Sequence, residues 1–227
     1  MNIKNLHDWN VSSEKAICIQ KNLAEKVLSR PLDRLVKIIA GADIAYISNT
    51  AYAGVVLLEY PSLETIAEFT LKAEIQFPYI PGLLSFREAP ALLQLFQKVS
   101  PTPQLVMLDG QGLAHPRKLG LASHLGLFLD CPTIGCAKSR LIGRHSDPTA
   151  EKGSSTPLID NHEQTIGAVV RSKEGCKPIF VSVGHLIDLD NAVRWTLNCV
   201  TRYRIPEPTR RAHLLVAKFK KKDVNHE

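Results

Sequence analysis

The feature that most constrains the fold is a change of pattern near residue 80. Before it, strand-like segments follow one another with short turns, at residues 35–46, 54–60 and 64–74. Apolar and polar residues alternate in the third segment, which is typical of a half-buried strand. Three consecutive strands joined by short turns predict an antiparallel meander at the start of the chain.

Beyond this point, helical and strand-like segments alternate. Helices are predicted at residues 85–99, 122–129 and 188–203, and strands at 105–108, 132–136, 165–170 and 179–183. A further helix is predicted before the meander, where Ser12 or Ser13 can cap a segment that Pro31 closes. This order of elements predicts an α/β fold, with a central mixed β-sheet flanked by helices.

Length and charge narrow the class of protein. A chain of 227 residues can bury one sizeable core, so we expect a single domain over residues 1–227. The formal net charge of +6 favours a polyanionic partner such as nucleic acid, although many globular proteins are mildly basic. The basic residues near the C-terminus predict a solvated, mobile tail over about residues 215–227.

The cysteines and apolar segments bear on the compartment. The five cysteines are odd in number and include no C-x-x-C pair, which argues against a disulfide framework and a structural zinc site. No secretory signal is recognisable, and no apolar stretch approaches membrane-spanning length. We therefore expect a cytoplasmic location and no membrane partner. A monomer is expected as well.

Three acidic residues occupy positions that need an explanation. Asp43 lies inside an apolar strand, where a carboxylate needs a partner: either it hydrogen-bonds a neighbouring loop or it belongs to a site. Asp109 ends a short apolar strand directly before a glycine, which is a place for ligands in parallel sheets and also a common turn pair. Glu88 either completes a capping box with Ser85 or faces a site from the start of its helix.

Other segments carry groups suited to nucleic acid. The sequence Pro-Tyr-Ile-Pro-Gly at 78–82 is a stiff apolar protrusion that can enter a base stack or serve as a rigid connector. His213 can orient water or bind a metal, or be an ordinary surface or core histidine. The residues that suit phosphate contacts, unless they are merely solvated, are His115, Arg117, Lys138 and Ser139.

Taken together, these motifs resemble the endonuclease V family, the deoxyinosine endonucleases. The matching segments fall in the family's order across about residues 10–215. They are Ala40–Asp43, Pro78–Gly82, Ser85–Glu88, Leu108–Gly112, His115–Arg117, Gly120, Ala122–His124, Pro132–Lys138 and Pro206–Arg210. The chain departs from the family pattern at two positions: Gln111 stands where some relatives carry His or Asn, and Cys136 stands where Val is frequent. The change at Gln111 bears on which lesions are preferred.

The resemblance implies a ribonuclease H-like fold. It implies hydrolysis of the second phosphodiester bond 3′ to deoxyinosine, which leaves a nick in DNA containing deaminated bases. The implied cofactor is Mg²⁺, with Mn²⁺ as a substitute, and its ligands are Asp43 and Asp109. Glu88 is then the third acidic member of the catalytic set, and His213 is its accessory histidine.

The resemblance also implies roles for the surrounding residues. A wedge that fills the gap left by a flipped base is implied for Tyr79, Ile80, Pro81 and Gly82. Lys138 is similar to the basic residue beside the scissile phosphate. The walls of the pocket that receives the base are implied to be Gly82, Leu84, Gly110 and Gly120.

Three functions remain open at this point. The first is a DNA repair nuclease. The second is the same site directed at inosine-containing RNA, because discrimination depends on contacts to the 2′-hydroxyl group. The third is a non-catalytic reader of inosine. The acidic set argues against a reader, since a pure binder has no need of three carboxylates beside a polyanion.

Overall fold

The computed structural model describes residues 1–224. The strands are β1 (Ile38–Ile47), β2 (Thr50–Glu59), β3 (Thr65–Glu74), β4 (Leu105–Leu108), β5 (Thr133–Ala137), β6 (Ser155–Ile159), β7 (Thr165–Val170) and β8 (Ile179–His185). The helices are α1 (Ser13–Ala24), α2 (Leu84–Phe96), α3 (Leu121–Leu129), α4 (Leu189–Asn198) and α5 (Glu207–Val224). No helix in this part of the chain is both long and apolar enough to cross a bilayer.

All eight strands form one mixed sheet in the order β3-β2-β1-β4-β5-β8-β7-β6. The first three strands form the predicted antiparallel meander, while β1, β4 and β5 run parallel to one another. Strands β8, β7 and β6 complete the sheet in antiparallel fashion. The predicted mixed sheet flanked by helices is therefore confirmed.

The central strands pack on both faces. In β1, Ala40 packs with helices α2 and α3, whereas Ile39 belongs to a second core that includes Ala192 of α4. In β4, Val106 and Leu105 divide between the two cores in the same way. Because both faces are covered, these strands read as continuous apolar runs rather than as alternating segments.

Helix α5 starts in direct contact with β1. A Cβ atom at Gly41 would lie 1.9 Å from the carbonyl oxygen of Pro208, so only glycine permits this approach of the two backbones. The buried carboxylate of Glu207 accepts hydrogen bonds from Arg210, Arg211 and Thr201. These contacts fix the first turns of the helix that carries His213.

The C-terminal segment differs from the prediction. Residues 215–224, expected to be a mobile tail, continue helix α5 to Val224. The helix persists because the side chain of Val216 is buried and the hydroxyl group of Tyr52 donates to Asp223 at 2.6 Å. Residues 225–227 of the predicted tail lie outside the described residues.

Other differences are local. Strand β6 was not predicted, because Pro157 and several exposed residues disguise what is an edge strand. The first strand begins at Ile38 rather than at residue 35, and helix α4 ends at Asn198 rather than at residue 203. Ser12 caps α1, accepting a hydrogen bond from the amide of Lys15.

Candidate active site

Three side chains from distant parts of the chain meet at one end of the central strands. Asp43 lies in β1, Asp109 directly follows β4, and His213 lies in α5. The parallel pairing of Ala42 with Leu108 places the two aspartates side by side. One potential ligand atom from each of the three residues lies within 4.8 Å of the others.

Asp43 is paired across the fold rather than with a neighbouring loop. Nδ1 of His213 lies 2.8 Å from Oδ2 of Asp43 and donates a hydrogen bond to it. Burial raises the pKa of Asp43, the hydrogen bond from His213 lowers it, and the charge of nearby Asp109 raises it again. The two carboxylates therefore repel each other in a partly desolvated cleft.

Glu88 faces this cleft from helix α2. Its Oε1 atom accepts a hydrogen bond of 2.8 Å from the hydroxyl group of Tyr46. Burial raises the pKa of Glu88 to about 8; the Tyr46 hydrogen bond opposes this shift, and the charges of Asp43 and Asp109 add to it. The carboxyl group of Glu88 is thus mostly protonated at neutral pH when no cation is near.

Of the two alternatives for Glu88, the structure excludes the capping box with Ser85. Helix α2 begins at Leu84, and its N-cap residue, Leu83, makes no side-chain hydrogen bond. Ser85 therefore lies inside the helix, where its hydroxyl group bonds Nδ1 of His124 at 2.9 Å. Because the helix starts before the serine, the Ser85 hydroxyl group bonds His124 of α3 and does not cap the first turn.

Asp43, Glu88 and Asp109 line a small cavity of about 120 Å³, here called the acidic cleft. Carboxylate oxygens are the ligands that hard divalent cations prefer. Two adjacent carboxylates whose charges repel each other also fit a cation, because its charge would remove the repulsion. The donor set of the acidic cleft therefore suits a divalent metal ion.

Lys138 and Ser139 lie beside the cleft, in the loop after β5. The ammonium group of Lys138 contacts Oδ2 of Asp109, so the Asp109 carboxylate is engaged with a cation and not with its own turn. Gln111, the residue that varies within the motif, is buried and donates from its amide nitrogen to the Ser139 carbonyl at 3.1 Å. This bond connects the loop after β4 to the loop after β5.

A larger cavity of about 400 Å³, here called the base pocket, adjoins the acidic cleft. The two cavities share Asp109 as a wall. The four residues expected to form the walls all line it: Gly82, Leu84, Gly110 and Gly120. The volume lies within the range of small-ligand sites, and the glycines, which have no side chain, take up little of this space.

The predicted wedge divides into an exposed and a packed part. The side chain of Tyr79 is 69% exposed at the rim of the base pocket, and Pro81 is exposed beside it. Ile80 instead packs against a core cluster that contains Phe86. Gly82 has a φ angle of +78°, a conformation that favours glycine and turns the chain into α2. Only Tyr79 and Pro81 therefore project.

The base of this loop is held by one carbonyl group. The carbonyl oxygen of Gly82 accepts hydrogen bonds from Gln20 (3.1 Å), His115 (3.0 Å) and Arg117 (2.5 Å). Gln20 is fully buried in α1 and also bonds the Leu119 carbonyl and the Arg117 guanidinium. Sequence reasoning missed Gln20, although a glutamine on the apolar face of a predicted helix was a visible signal.

The prediction that His115 contacts phosphate disagrees with this geometry. Its Nε2 atom donates to Gly82, its Nδ1 atom accepts from the Arg117 amide, and the residue is 5% exposed. Burial and the charge of Arg117 lower the pKa of His115 to about 4, so the ring is neutral. A neutral ring with both nitrogen atoms occupied supports the loop and has no donor left for a phosphate.

Comparisons with known proteins agree with one another. The family model described as Endonuclease V matches residues 21–214. A relative named Endonuclease V from Dehalococcoides mccartyi is 45% identical, over 96% of this chain and 98% of its own length. The crystal structure of Endonuclease V from Streptomyces avermitilis is 38% identical, with a TM-score of 0.91, and covers 99% of this chain and 100% of that chain.

A third similar protein was solved with a ligand. Ciona intestinalis Endonuclease V, in complex with a 24mer DNA containing an inosine followed by a ribo-adenosine, is 29% identical with a TM-score of 0.80. The match covers 92% of this chain and 98% of that chain. Together with the sheet topology, these similarities confirm the ribonuclease H-like fold class that the resemblance implied.

Proposed function

The chain belongs to the endonuclease V family, and on that premise we propose that it is a magnesium-dependent DNA repair endonuclease. It hydrolyses the second phosphodiester bond 3′ to deoxyinosine and other deaminated bases and leaves a nick. The family is one of nucleases and implies a divalent metal. The observation that carries the proposal is the convergence of Asp43, Asp109 and His213 beside a glycine-lined pocket.

In this proposal Asp43 and Asp109 hold the metal ion. Bound Mg²⁺ neutralises charge on the phosphate and makes water a better nucleophile at neutral pH. His213 orients Asp43 through the 2.8 Å hydrogen bond, as partners outside a metal's ligand shell commonly do. Lys138, close to Asp109 and partly exposed, adds positive charge where the phosphate approaches.

Glu88 handles protons in the acidic cleft. Its raised pKa of about 8 allows exchange of a proton with water near neutral pH. The hydroxyl group of Tyr46 fixes one of its oxygen atoms, so the other oxygen is the one free to face the cleft. A divalent cation in the cleft would favour the ionised form of Glu88, and the carboxylate would then be suited to position a water molecule and to accept its proton.

Selectivity comes from the base pocket. A deaminated base pairs weakly, so its extrusion costs less of the few kcal/mol that unstacking requires. The amides of Gly82 and Gly110, two of the glycines that line the pocket, are suited to read the carbonyl oxygen that deamination creates, whereas the amide of Gly120 donates to the Gly112 carbonyl. Tyr79, exposed at the rim, fills the space that the base leaves in the stack.

One observation supports a second candidate function, which is cleavage of inosine-containing RNA. The Ciona complex contains inosine-bearing DNA with a ribonucleotide after the inosine, which supports DNA as a ligand and leaves inosine-containing RNA as an alternative substrate. A non-catalytic reader is disfavoured, because a binder gains nothing from three carboxylates beside a phosphate backbone.

The proposal is tested with matched inosine-containing DNA and RNA oligonucleotides, each incubated with Mg²⁺ and then with a chelator. We expect the DNA strand to be cut at the second phosphodiester 3′ to the inosine, and only when Mg²⁺ is present. Faster cutting of RNA would favour the second candidate function. Cutting that persists in the chelator, or at unmodified positions, would contradict the proposal.

A further inference from the structure

A third cavity, of about 500 Å³, adjoins the base pocket at His115, which lines both. Helix α1, the loop before α3, the loop after β5 and the β6–β7 turn form it. We call it the basic groove, and it is defined by Lys21, Arg117, Lys118, Ile142, Asp160 and His162. The mechanism above does not use this cavity.

Cations outnumber acids in the basic groove. Arg117 bonds only neutral groups, the Gln20 side chain and the Gly82 carbonyl, so its charge is not compensated there. Lys21 forms no ion pair with any residue between 1 and 224. Lys118 lies 3.8 Å from the Asp160 carboxylate, the one acidic group of the lining. The groove therefore attracts anions.

Shared wall residues show which of the three cavities adjoin one another. The acidic cleft shares Asp109 with the base pocket, and the base pocket shares His115 with the basic groove. Within residues 1–224 no side chain lines both the cleft and the groove. The base pocket thus separates the acidic cleft from the basic groove.

This order gives the bound strand a direction. If the proposed function is correct, the bond that is cut lies 3′ to the flipped base, so the acidic cleft holds the 3′ side of the strand. We propose that the basic groove binds the phosphodiester backbone of the same strand on the 5′ side of the lesion. This assignment rests on the proposed function and gives a binding site to the 5′ arm of the substrate strand.

The lining suits a sugar–phosphate chain of any sequence. Lys21 and Lys118 carry ammonium groups at the surface, and that of Lys118 also contacts Gln164; such groups contact phosphates without reading bases. Ile142, partly buried against a core cluster, offers an apolar contact for a sugar. Binding in the groove is therefore independent of sequence and sensitive to salt.

The test uses two inosine-containing DNA strands. One has a long 5′ arm and a 3′ arm that ends just beyond the cut, and the other has the reverse arrangement. Dissociation constants are measured without divalent metal for the wild type and for the double variant Lys21→Ala/Lys118→Ala. The control is Lys15→Ala/Lys26→Ala, which removes the same charge from exposed lysines that do not line the groove.

We expect the groove variant to bind the strand with the long 5′ arm roughly tenfold more weakly, and the other strand less than about twofold more weakly. The slope of log affinity against log salt should fall by about 0.7–0.9 for each lost phosphate contact. Equal losses on both strands, or a loss matched by the control, would overturn the groove alone. A wild type that never cuts near inosine would overturn the proposed function and the groove with it.

Discussion

The acidic cleft and the base pocket share a wall but are built by different means. The cleft contains acidic side chains from β1, α2 and the loop after β4, supported by His213 of α5. The pocket owes its space to glycines, and its rim is held by the hydrogen bonds to the Gly82 carbonyl. The acidic cleft therefore depends on charge, and the base pocket depends on the space that its glycines leave.

The difference predicts how each region responds to change. Removing a carboxylate from the cleft leaves the surrounding backbone in place, so binding of a strand should outlast the loss of chemistry. Adding a single carbon atom to the pocket should instead weaken binding of the base and leave the catalytic groups of the cleft unchanged, because the added atom takes space from the ligand.

The largest effect is expected from Asp43→Ala or Asp109→Ala. Either change removes a proposed metal ligand, and the rate of nicking should fall roughly a thousandfold or more. Gel-based nicking assays measure the rate of cleavage, and filter binding with inosine DNA measures whether strand binding is retained. Asp147→Ala, at a highly exposed position outside the cleft, should keep the wild-type rate. Undiminished cleavage by either cleft variant would refute the assignment.

The next effect is expected from Gly110→Ala. The new Cβ would meet only Leu121, at 3.5 Å, so the fold should tolerate it while the pocket loses space. We expect kcat/KM on inosine DNA to fall roughly 10- to 200-fold with little change in melting temperature. Gly120→Ala is the comparison, because its Cβ would lie 2.3 Å from the Gln111 carbonyl oxygen and should lower stability directly. Wild-type activity in Gly110→Ala would show that no base occupies the pocket.

A smaller effect is expected from Tyr79→Ala. The side chain is 69% exposed, so its loss should leave stability unchanged. Loss of a stacking aromatic group costs about 1–3 kcal/mol, so binding of inosine duplex should weaken roughly tenfold. Tyr203→Ala, also at a partly exposed tyrosine but away from the pocket, serves as the control. Equal losses on inosine and unmodified duplex would rule out a lesion-specific wedge.

The smallest effect on cleavage is expected from Gln20→Leu. The change removes the hydrogen bonds to Gly82, Leu119 and Arg117, each worth about 1–3 kcal/mol when a buried group is left unpaired. The melting temperature should fall by several degrees, and the preference for inosine over unmodified DNA should drop a few-fold. Gln94→Leu, at an exposed position of α2, should change neither. An unchanged preference would mean that the loop keeps its position without Gln20.

Local patterns predicted much of the fold. The bounds of β4 and β7 agree with the sequence prediction, because each is a short apolar run between turn residues. Helix α5 was missed although Ala212 and Val216 recur at helical spacing, since the lysines at its end suggested a solvated tail. That interpretation gave more weight to the charge of the segment than to its apolar periodicity. In the structure, packing of Ala212 and Val216 stabilises the helix.

The residues of the acidic cleft and of the base pocket were predictable from the sequence, whereas the hydrogen bonds that support the loop at residues 78–82 were not. The family motifs pointed to Asp43, Asp109 and the pocket glycines, and the structure brings them together. The bonds that support the loop were not predictable, because Gln20 and Gly82 meet only after α1 packs against the start of α2. Local sequence does not encode such a meeting, and a buried polar side chain indicates only that a partner exists.

The hydrogen bond between Asp43 and His213 joins positions 170 residues apart. A contact at such a separation costs conformational entropy, because a long loop must close before it is gained. During translation the two aspartates emerge well before the histidine that completes the cluster. The nascent chain therefore lacks the complete set of groups until helix α5 has been synthesised.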